Sequence, residues 1–133
     1  MADNSEPKFN NVLLVDDNEI DNFINEKVIS SVGFANNINV KNSADEALDF
    51  IRSCASDLSK LPGLIFLDLN MPIKDGFAFL DDYDKLDSSL KADTKIVVLS
   101  SSISPEDIGK ASTNPYVLKY INKPLSEKYL EAI

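Results

Sequence analysis

The sequence predicts a doubly wound α/β fold, a three-layer sandwich in which helices cover both faces of a parallel five-stranded sheet. Five short apolar segments alternate with five segments of helical periodicity, which is the pattern of successive βαβ units. The first, third and fourth apolar segments are continuous, as in buried strands, whereas the second and fifth alternate with polar residues, as in edge strands. This distribution predicts the strand order 2-1-3-4-5.

The composition is that of a single globular domain. The chain has 133 residues, of which 44% are hydrophobic and 26% are charged. Its apolar runs are far shorter than the roughly 18 residues of a membrane span, and its polar, acidic start does not read as a secretory signal. We therefore expect a cytoplasmic protein that does not enter a membrane.

The charge and the rare residue types exclude several functions. The net charge of -9 and the sequence pI near 4.4 argue against direct DNA binding, which needs a basic surface. An acidic surface can serve a basic partner or simply solubility, and both interpretations stay open. The chain has no histidine, which excludes Ser-His hydrolases, histidine-ligated zinc and a histidine phosphocarrier. The single cysteine, Cys54, is expected in the core.

The first strand and helix are predicted after a short leader. Residues 1–10 are predicted to be a flexible leader, and residues 11–16 to form the first strand. Helical periodicity predicts the first helix over residues 19–32, with Gly33 ending it. The apolar positions predicted to face the core from this helix are Ile20, Phe23, Ile24, Val28 and Val32.

The second helix has the clearest start signal. Residues 36–41 alternate in polarity and predict the second strand. Ser43, followed by Glu46 three residues later, then forms a capping box. A third apolar run leads to Asp68 and predicts the third strand. The apolar positions predicted to face the core from the second helix are Ala44, Ala47, Leu48, Ile51, Ala55 and Leu58.

The third helix is predicted over residues 77–87, with Leu80 and Tyr83 facing inward. Gly76, directly before it, is expected to adopt a positive φ, which glycine allows at no steric cost. Residues 95–100 are predicted to form the fourth strand. These segments continue the strand-helix alternation without a break.

The last two helices begin with recognisable caps. Ser104 and Pro105 are typical of an N-cap followed by proline at the first helical position. Residues 117–122 are predicted to form the fifth strand, and a last helix begins at Ser126. This helix has barely two turns before Ile133, which predicts either a naturally short helix or a shortened chain.

Polar side chains follow four of the predicted strands, at the points where the apolar runs stop. Asp16 and Asp17 follow the first run, Asp68 the third, Ser100 ends the fourth, and Lys123 follows the fifth. In an open α/β sheet, ligands bind outside the carboxyl ends of the strands. The sequence therefore predicts a site for a divalent cation and a phosphoryl group at this edge.

The three aspartates predict an Mg²⁺ site more readily than a Ca²⁺ site. Carboxylates at the ends of neighbouring strands repel one another, and a hard cation relieves that repulsion. Mg²⁺ typically takes one or two carboxylates together with phosphate oxygens. A calcium loop starting at Asp16 fails, because Ile20 occupies its fifth position and no glycine its sixth. Taken singly, the acidic pair or Lys123 could equally be a solvated loop residue.

Several motifs in this order resemble the receiver domain of bacterial two-component response regulators, of the single-domain type. The resemblance covers about residues 10–133 and implies a flavodoxin-like fold with a receiver unit at 11–133. The motifs that carry it are Leu14-Val15-Asp16-Asp17-Asn18, Leu67-Asp68-Leu69-Asn70-Met71-Pro72, Gly76, Val97-Val98-Leu99-Ser100-Ser101 and Tyr120-Ile121-Asn122-Lys123-Pro124.

The resemblance implies a metal site. Asp17 and Asp68 would bind Mg²⁺, or Mn²⁺, directly, and Asp16 largely through water. The backbone carbonyl of Asn70 would be a further ligand. No histidine is needed for this role.

The resemblance also implies a phosphorylation site and a switch. Asp68 would accept a phosphoryl group from a phosphohistidine on a sensor histidine kinase or histidine phosphotransfer protein. Ser100 and Lys123 would contact the phosphoryl oxygens, and the Tyr120 rotamer would follow the position of Ser100. The Lys123-Pro124 bond would be cis.

The implied function is a phosphorylation-dependent switch, not an enzyme that turns over a substrate. Its output would pass to an unknown protein through the fourth helix, fifth strand and fifth helix. Specificity for the kinase would come from the exposed side of the first helix and from the loop before the fifth helix. Two alternatives remain: a receiver excised from a longer regulator or hybrid kinase, and an aspartyl-phosphate phosphohydrolase. The second is disfavoured because Asn70 stands where such enzymes carry a general acid.

Overall fold

The computed structural model describes residues 6–133. Strands and helices alternate along the chain as β1 (Phe9–Val15), α1 (Glu19–Ser31), β2 (Ala35–Lys41), α2 (Ala44–Ser53), β3 (Leu64–Leu67), α3 (Gly76–Asp84), β4 (Lys95–Ser100), α4 (Pro105–Ser112), β5 (Val117–Asn122) and α5 (Glu127–Glu131). The predicted leader does not extend over Phe9 and Asn10, which belong to β1, and its residues 1–5 lie outside the described part of the chain.

The five strands form one parallel sheet in the order β2-β1-β3-β4-β5, which confirms the predicted topology. The carboxyl ends of neighbouring strands lie side by side. Val15 pairs with Lys41 on one side and Leu67 on the other, and Ser100 pairs with Asn122. This register brings the residues that follow β1, β3, β4 and β5 to a single edge.

Alternate residues of the central strands supply the two apolar layers of the domain. Leu13 and Val15 pack with α2 and α3, whereas Val12 and Leu14 face the opposite layer, which includes Ile29 of α1. Such burial on both faces explains why the central strands are continuous apolar runs. No helix among residues 6–133 is long and apolar enough to cross a membrane.

The predicted buried face of α1 is wrong for four of its five residues, since only Val28 packs against the core, partly buried. Ile20 is 70% exposed, Phe23 is 63% exposed and Ile24 also faces solvent. The helix instead buries Asn22 and Asn25, together with Ile29 one turn later. Apolar periodicity identified the helix correctly, but this helix has apolar side chains outside and two amides inside. Val32, the C-cap residue, is also exposed, and Gly33 follows it with φ +64°, as its role in ending the helix requires.

The second helix matches its prediction more closely. Ser43 is the N-cap, its side chain accepting from the Glu46 N–H, and the buried residues include Ala47, Leu48 and Ile51. Ala55 and Leu58 are exposed, contrary to the prediction. The reason is that α2 ends at Ser53 and short 3₁₀ turns follow, which break the helical period.

The last two helices begin where their caps predict, whereas α3 is capped by Asp75 and spans Gly76–Asp84 instead of the predicted residues 77–87. Ser104 caps α4 with Pro105 in its first turn, and Ser126 caps α5. In α3, Leu80 and Tyr83 are buried as predicted. Cys54 is buried beside the end of α2, and this burial raises the pKa of its thiol.

Candidate functional site

The three predicted aspartates meet at the carboxyl edge of the sheet. Asp16 and Asp17 follow β1, Asp68 follows β3, and one carboxylate oxygen of each residue lies within 4.8 Å of those of the other two. Asp16 and Asp68 are only 4% and 5% exposed, whereas Asp17 is open to solvent. Among the described residues, Asp68 Oδ1 is buried without a hydrogen-bond partner. Such a set of oxygen donors, one of them unsatisfied, fits a hard divalent cation.

The backbone around Asp16 is held by three contacts. The Asn18 N–H donates to Asp16 Oδ1 at 2.9 Å, and the Asp16 N–H donates to the Lys41 carbonyl at 3.1 Å. Asn22 Nδ2 donates to the Asp16 carbonyl at 2.8 Å from inside α1. This last contact explains why an amide, not an apolar side chain, occupies the buried face of α1, because a buried carbonyl needs a donor.

Lys123 brings a positive charge to the aspartates. Its ammonium lies 2.7 Å from Asp16 Oδ2, 2.8 Å from Asp21 Oδ2 and 3.6 Å from Asp68 Oδ1. Its backbone N–H donates to the Ser100 carbonyl at 3.0 Å, and the Lys123-Pro124 peptide is cis, as predicted. Burial alone would lower the pKa of Lys123, but the hydrogen bonds to Asp16 and Asp21 raise it above its usual value.

The electrostatic balance is unfavourable for Asp68. Burial first, and then the neighbouring Asp16 carboxylate, raise the pKa of Asp68 to about 6, although Lys123 acts in the opposite direction. An acid with a raised pKa is less stable in its charged form than it would be in water. A cation that binds at Asp68 therefore stabilises the charged form of this carboxylate.

The residues after β4 and β5 form one connected cluster. Ser100 is fully buried, and its hydroxyl accepts from the Ser102 N–H at 3.1 Å. The Ser102 carbonyl in turn accepts from the Tyr120 hydroxyl at 2.7 Å and from Asn122 Nδ2 at 3.0 Å. The loop after β4 is thus fastened to β5 by two side chains, and Tyr120 is one of them.

The loop after β3 passes close to Asp68. A Cβ on Gly76 would lie 2.7 Å from the Asp68 carbonyl oxygen and 2.8 Å from Leu69 Cα, so no larger residue fits. The prediction that Gly76 has a positive φ is wrong, because close backbone packing is the reason for the glycine. Asn70, the predicted carbonyl ligand, is exposed in this loop.

The positive φ in this loop belongs to Ile73. This residue has φ +69° and a fully exposed side chain, and the Lys74 N–H donates to the Pro72 carbonyl across it at 2.7 Å. A three-residue turn with positive φ is rare and strained, and a β-branched residue makes it more so. Strain of this kind occurs preferentially at functional sites.

The comparison with known families identifies the domain. The response regulator receiver domain family matches residues 12–133. The chain belongs to this family. A receiver of this kind is a component of two-component signalling systems, and its acidic edge is the part of the fold in which receivers bind a divalent metal.

Individual relatives agree with this assignment. A probable methanogenesis regulatory protein from Methanothrix harundinacea is 33% identical over 86% of this chain and 72% of its own length. A two-component response regulator from Cytophaga hutchinsonii has a TM-score of 0.87 at 29% identity, covering 93% of this receiver and 92% of that chain. A phosphorylated cyanobacterial phytochrome response regulator has a TM-score of 0.73 at 30% identity, covering 91% and 85%.

Sequence reasoning missed three residues of this edge. Asp21, on α1, pairs with Lys123; Asn22 holds the Asp16 carbonyl; and Ile73 occupies the strained turn. The only signal for Asp21 and Asn22 was their place in the first turn of a helix that begins beside the acidic pair. The β-branched Ile73 in the loop after β3 was visible in the sequence, but its φ was not.

Proposed function

We propose that this receiver is a phosphorylation-dependent signalling switch whose phosphoacceptor is Asp68, within a receiver unit at residues 11–133. The observation that carries the proposal is the meeting of a buried carboxylate oxygen without a partner, two further aspartates and the Lys123 ammonium within a few ångströms. The donor is a phosphohistidine on a sensor histidine kinase or a histidine phosphotransfer protein, since this is the chemistry of the family.

In the proposed reaction an Asp68 carboxylate oxygen attacks the phosphorus of the phosphohistidine. The O–P bond forms, the N–P bond breaks, and the imidazole of the donor leaves with its electron pair. Lys123 offsets the negative charge of the phosphoryl oxygens, and the buried Ser100 hydroxyl is the hydrogen-bond donor on the β4 side. The product is an acyl phosphate on this chain, so the reaction is a modification and not turnover of a substrate.

The three aspartates would hold a divalent cation, which would supply the remaining positive charge when bound. Asp16, Asp17 and Asp68 would hold it, with the Asn70 backbone carbonyl as a further ligand, and it would neutralise charge on the transferred phosphoryl group. Mg²⁺ is the proposed ion because carboxylates combined with phosphate oxygens and water suit it, and Mn²⁺ is the alternative.

The proposed signal leaves through the loop after β4. A phosphoryl group on Asp68 would attract the Ser100 hydroxyl, which now accepts from the Ser102 N–H. Because Tyr120 donates to the Ser102 carbonyl, movement of this loop changes the partner of the Tyr120 hydroxyl. The altered surface is then α4, β5 and α5, where a downstream protein binds.

The proposed docking surface for the phosphodonor is the exposed apolar side of α1. Ile20, Phe23 and Ile24 form this α1 surface directly after the strand that carries Asp16 and Asp17. Ile73 adds a further exposed apolar group in the loop that follows Asp68. An exposed apolar patch of this kind is typical of a protein interaction site, and its place directly after Asp16 and Asp17 makes the phosphodonor the partner that we propose for it.

Intact mass after incubation with acetyl phosphate and Mg²⁺ tests the proposal. The wild type is expected to gain one phosphoryl group, which chelation of the metal prevents. Asp68→Asn is expected to gain none, whereas Asp81→Asn, an exposed aspartate on α3, behaves as the wild type. Phosphoryl uptake by Asp68→Asn would show that another residue is the acceptor. No uptake by the wild type, either from acetyl phosphate or from phosphorylated kinases, would overturn the proposed switch.

A further inference from the structure

Lys123 has one partner that the proposed phosphorylation site does not explain. Asp16 and Asp68 belong to that site, but Asp21 belongs to α1. The Lys123 ammonium lies 2.8 Å from Asp21 and 2.7 Å from Asp16, so the two distances are nearly equal. Both are shorter than the 3.6 Å between the ammonium and Asp68. The strongest two contacts of the ammonium are therefore with Asp16 and Asp21.

The local structure of α1 places Asp21 for this contact. Asn18 caps the helix, and its side chain accepts from the backbone N–H of Asp21 at 3.0 Å. Asp21 thus lies in the first turn, beside the acidic pair that ends β1, and its carboxylate is free to reach across to Lys123. The Lys123 side chain is only 14% exposed and that of Asp21 is 34% exposed, so this ion pair is partly shielded from water.

We propose that Asp21 is a positioning residue that holds the Lys123 ammonium to the α1 side of the three aspartates. An ammonium has three donors, and two of them are engaged by Asp16 and Asp21. Without Asp21, Lys123 keeps its contact with Asp16, and the next carboxylate oxygen within reach is Asp68 Oδ1, which lies at 3.6 Å and has no hydrogen-bond partner among the described residues. Asp21 therefore keeps the lysine from occupying the oxygen that a cation and a phosphoryl group need.

This role deepens the proposed function and rests on it, since it concerns competition for the proposed cation site. Asp21→Asn is expected to weaken Mg²⁺ binding for two reasons. It removes one negative charge near the site, and it releases Lys123 to compete with the cation at Asp68. The first reason applies to any nearby acid, whereas the second operates only through Lys123.

Glu19→Gln separates the two reasons. Glu19 lies in the same first turn, is exposed and is not among the partners of Lys123, so its neutralisation reports the through-space effect alone. Both substitutions leave the Asn18 cap intact, because that cap uses the Asp21 backbone N–H. Urea unfolding of both variants checks that each is folded, so that a change in Mg²⁺ binding is not a loss of structure.

Isothermal titration calorimetry with MgCl₂ alone is the experiment, carried out on the full chain with and without Lys123→Met. We expect Asp21→Asn to weaken Mg²⁺ binding about fivefold and Glu19→Gln by less than about twofold, since screening limits the effect of an exposed charge. In the Lys123→Met background, the effect of Asp21→Asn is expected to fall to that of Glu19→Gln.

Three outcomes would overturn the proposal, and they are distinguishable. Equal effects of Asp21→Asn and Glu19→Gln in the presence of Lys123 would mean that only net charge matters. A fivefold effect of Asp21→Asn that persists without Lys123 would mean that Asp21 acts on the cation itself. Absence of Mg²⁺ binding to the wild type would reject the proposed metal site, and with it this role of Asp21.

Discussion

The two helices that follow the first two strands obey opposite patterns. The α2 helix buries small and aliphatic side chains and exposes its charges, as amphipathic helices do. The α1 helix buries Asn22 and Asn25 and exposes Ile20, Phe23 and Ile24. Both helices have an ordinary N-cap, so the difference lies in what each helix packs against and not in how it begins.

The neighbourhood of each helix explains the difference. The α1 helix starts beside the aspartates, and its buried Asn22 supplies a hydrogen bond to the Asp16 carbonyl. The α2 helix packs on the apolar layer that contains Leu13 and Ile65, and it presents Ala47, Leu48 and Ile51 to that layer. The residues on the buried side of a helix beside the aspartates are thus determined by the hydrogen bonds needed there. The residues on the buried side of a helix far from the aspartates are determined by apolar packing.

Shortening a core side chain of α2 is expected to have the largest effect on stability. Ile51 is almost fully buried, so Ile51→Ala removes apolar contacts and leaves a cavity. We expect the free energy of unfolding in urea to fall by about 2–5 kcal/mol, with phosphoryl uptake by the folded protein unchanged. Ala55→Ser, beyond the end of α2 and exposed, is the control and should change stability by less than about 0.5 kcal/mol. A cost below about 1 kcal/mol at Ile51 would contradict the assignment of α2 to packing.

Neutralising Asp68 is expected to stabilise the metal-free protein. The pKa of Asp68 is about 6 in the folded state, above the ordinary value of 3.8, because of burial and the neighbouring Asp16. A raised pKa means that the folded state binds more protons, so this group lowers stability as pH rises from about 4 to about 6. Asp68→Asn is therefore expected to gain about 2–3 kcal/mol over the wild type at pH 7.

The pH dependence of that gain is its test. Thermal unfolding of both proteins without metal should show the advantage of Asp68→Asn shrinking as pH falls from 7 towards 4, where Asp68 of the wild type is protonated. Addition of Mg²⁺ at pH 7 should narrow the gap by stabilising the wild type. A difference that stays constant across this pH range would show that the charge of Asp68 is not its source.

Relief of the turn strain at Ile73 is expected to have a smaller stabilising effect. Asparagine tolerates a positive φ far better than a β-branched residue, so Ile73→Asn should raise the free energy of unfolding by about 1 kcal/mol. Ile103→Asn, the same change at another exposed isoleucine in the loop after β4, has no such strain to release and is the control. If Ile73 is an anchor for the phosphodonor, the variant also loses transfer from a kinase while it keeps uptake from acetyl phosphate.

The sequence predicted most of the fold because strand order and helix starts depend on local signals. Continuous apolar runs identified β1, β3 and β4 as central, and serines identified the starts of α2, α4 and α5. The convergence of the three aspartates followed from the topology. The buried side of α1, the φ of Gly76 and Ile73, and the Asp21 contact depend on tertiary packing around the aspartates, and no local pattern encodes them.

The smallest expected effect on stability is at the α1 surface. Phe23 is mostly exposed and its described contact is a cation–π pair with Lys27 at 5.3 Å, so Phe23→Ala should change the free energy of unfolding by no more than about 0.5 kcal/mol. If the surface docks the phosphodonor, the same variant loses about tenfold in the rate of transfer from a phosphorylated kinase, the loss typical of an aromatic anchor.

The kinase for this measurement is the one from the source organism that transfers fastest to the wild type. Acetyl phosphate, which needs no docking surface, should phosphorylate Phe23→Ala at the wild-type rate. Leu58→Ala, an exposed apolar residue in the turn after α2, is the matched control and should keep both rates. If the kinase phosphorylates Phe23→Ala at the wild-type rate, the apolar side of α1 serves another partner. If Phe23→Ala loses phosphorylation rate equally with the kinase and with acetyl phosphate, the substitution has disturbed the phosphorylation site itself.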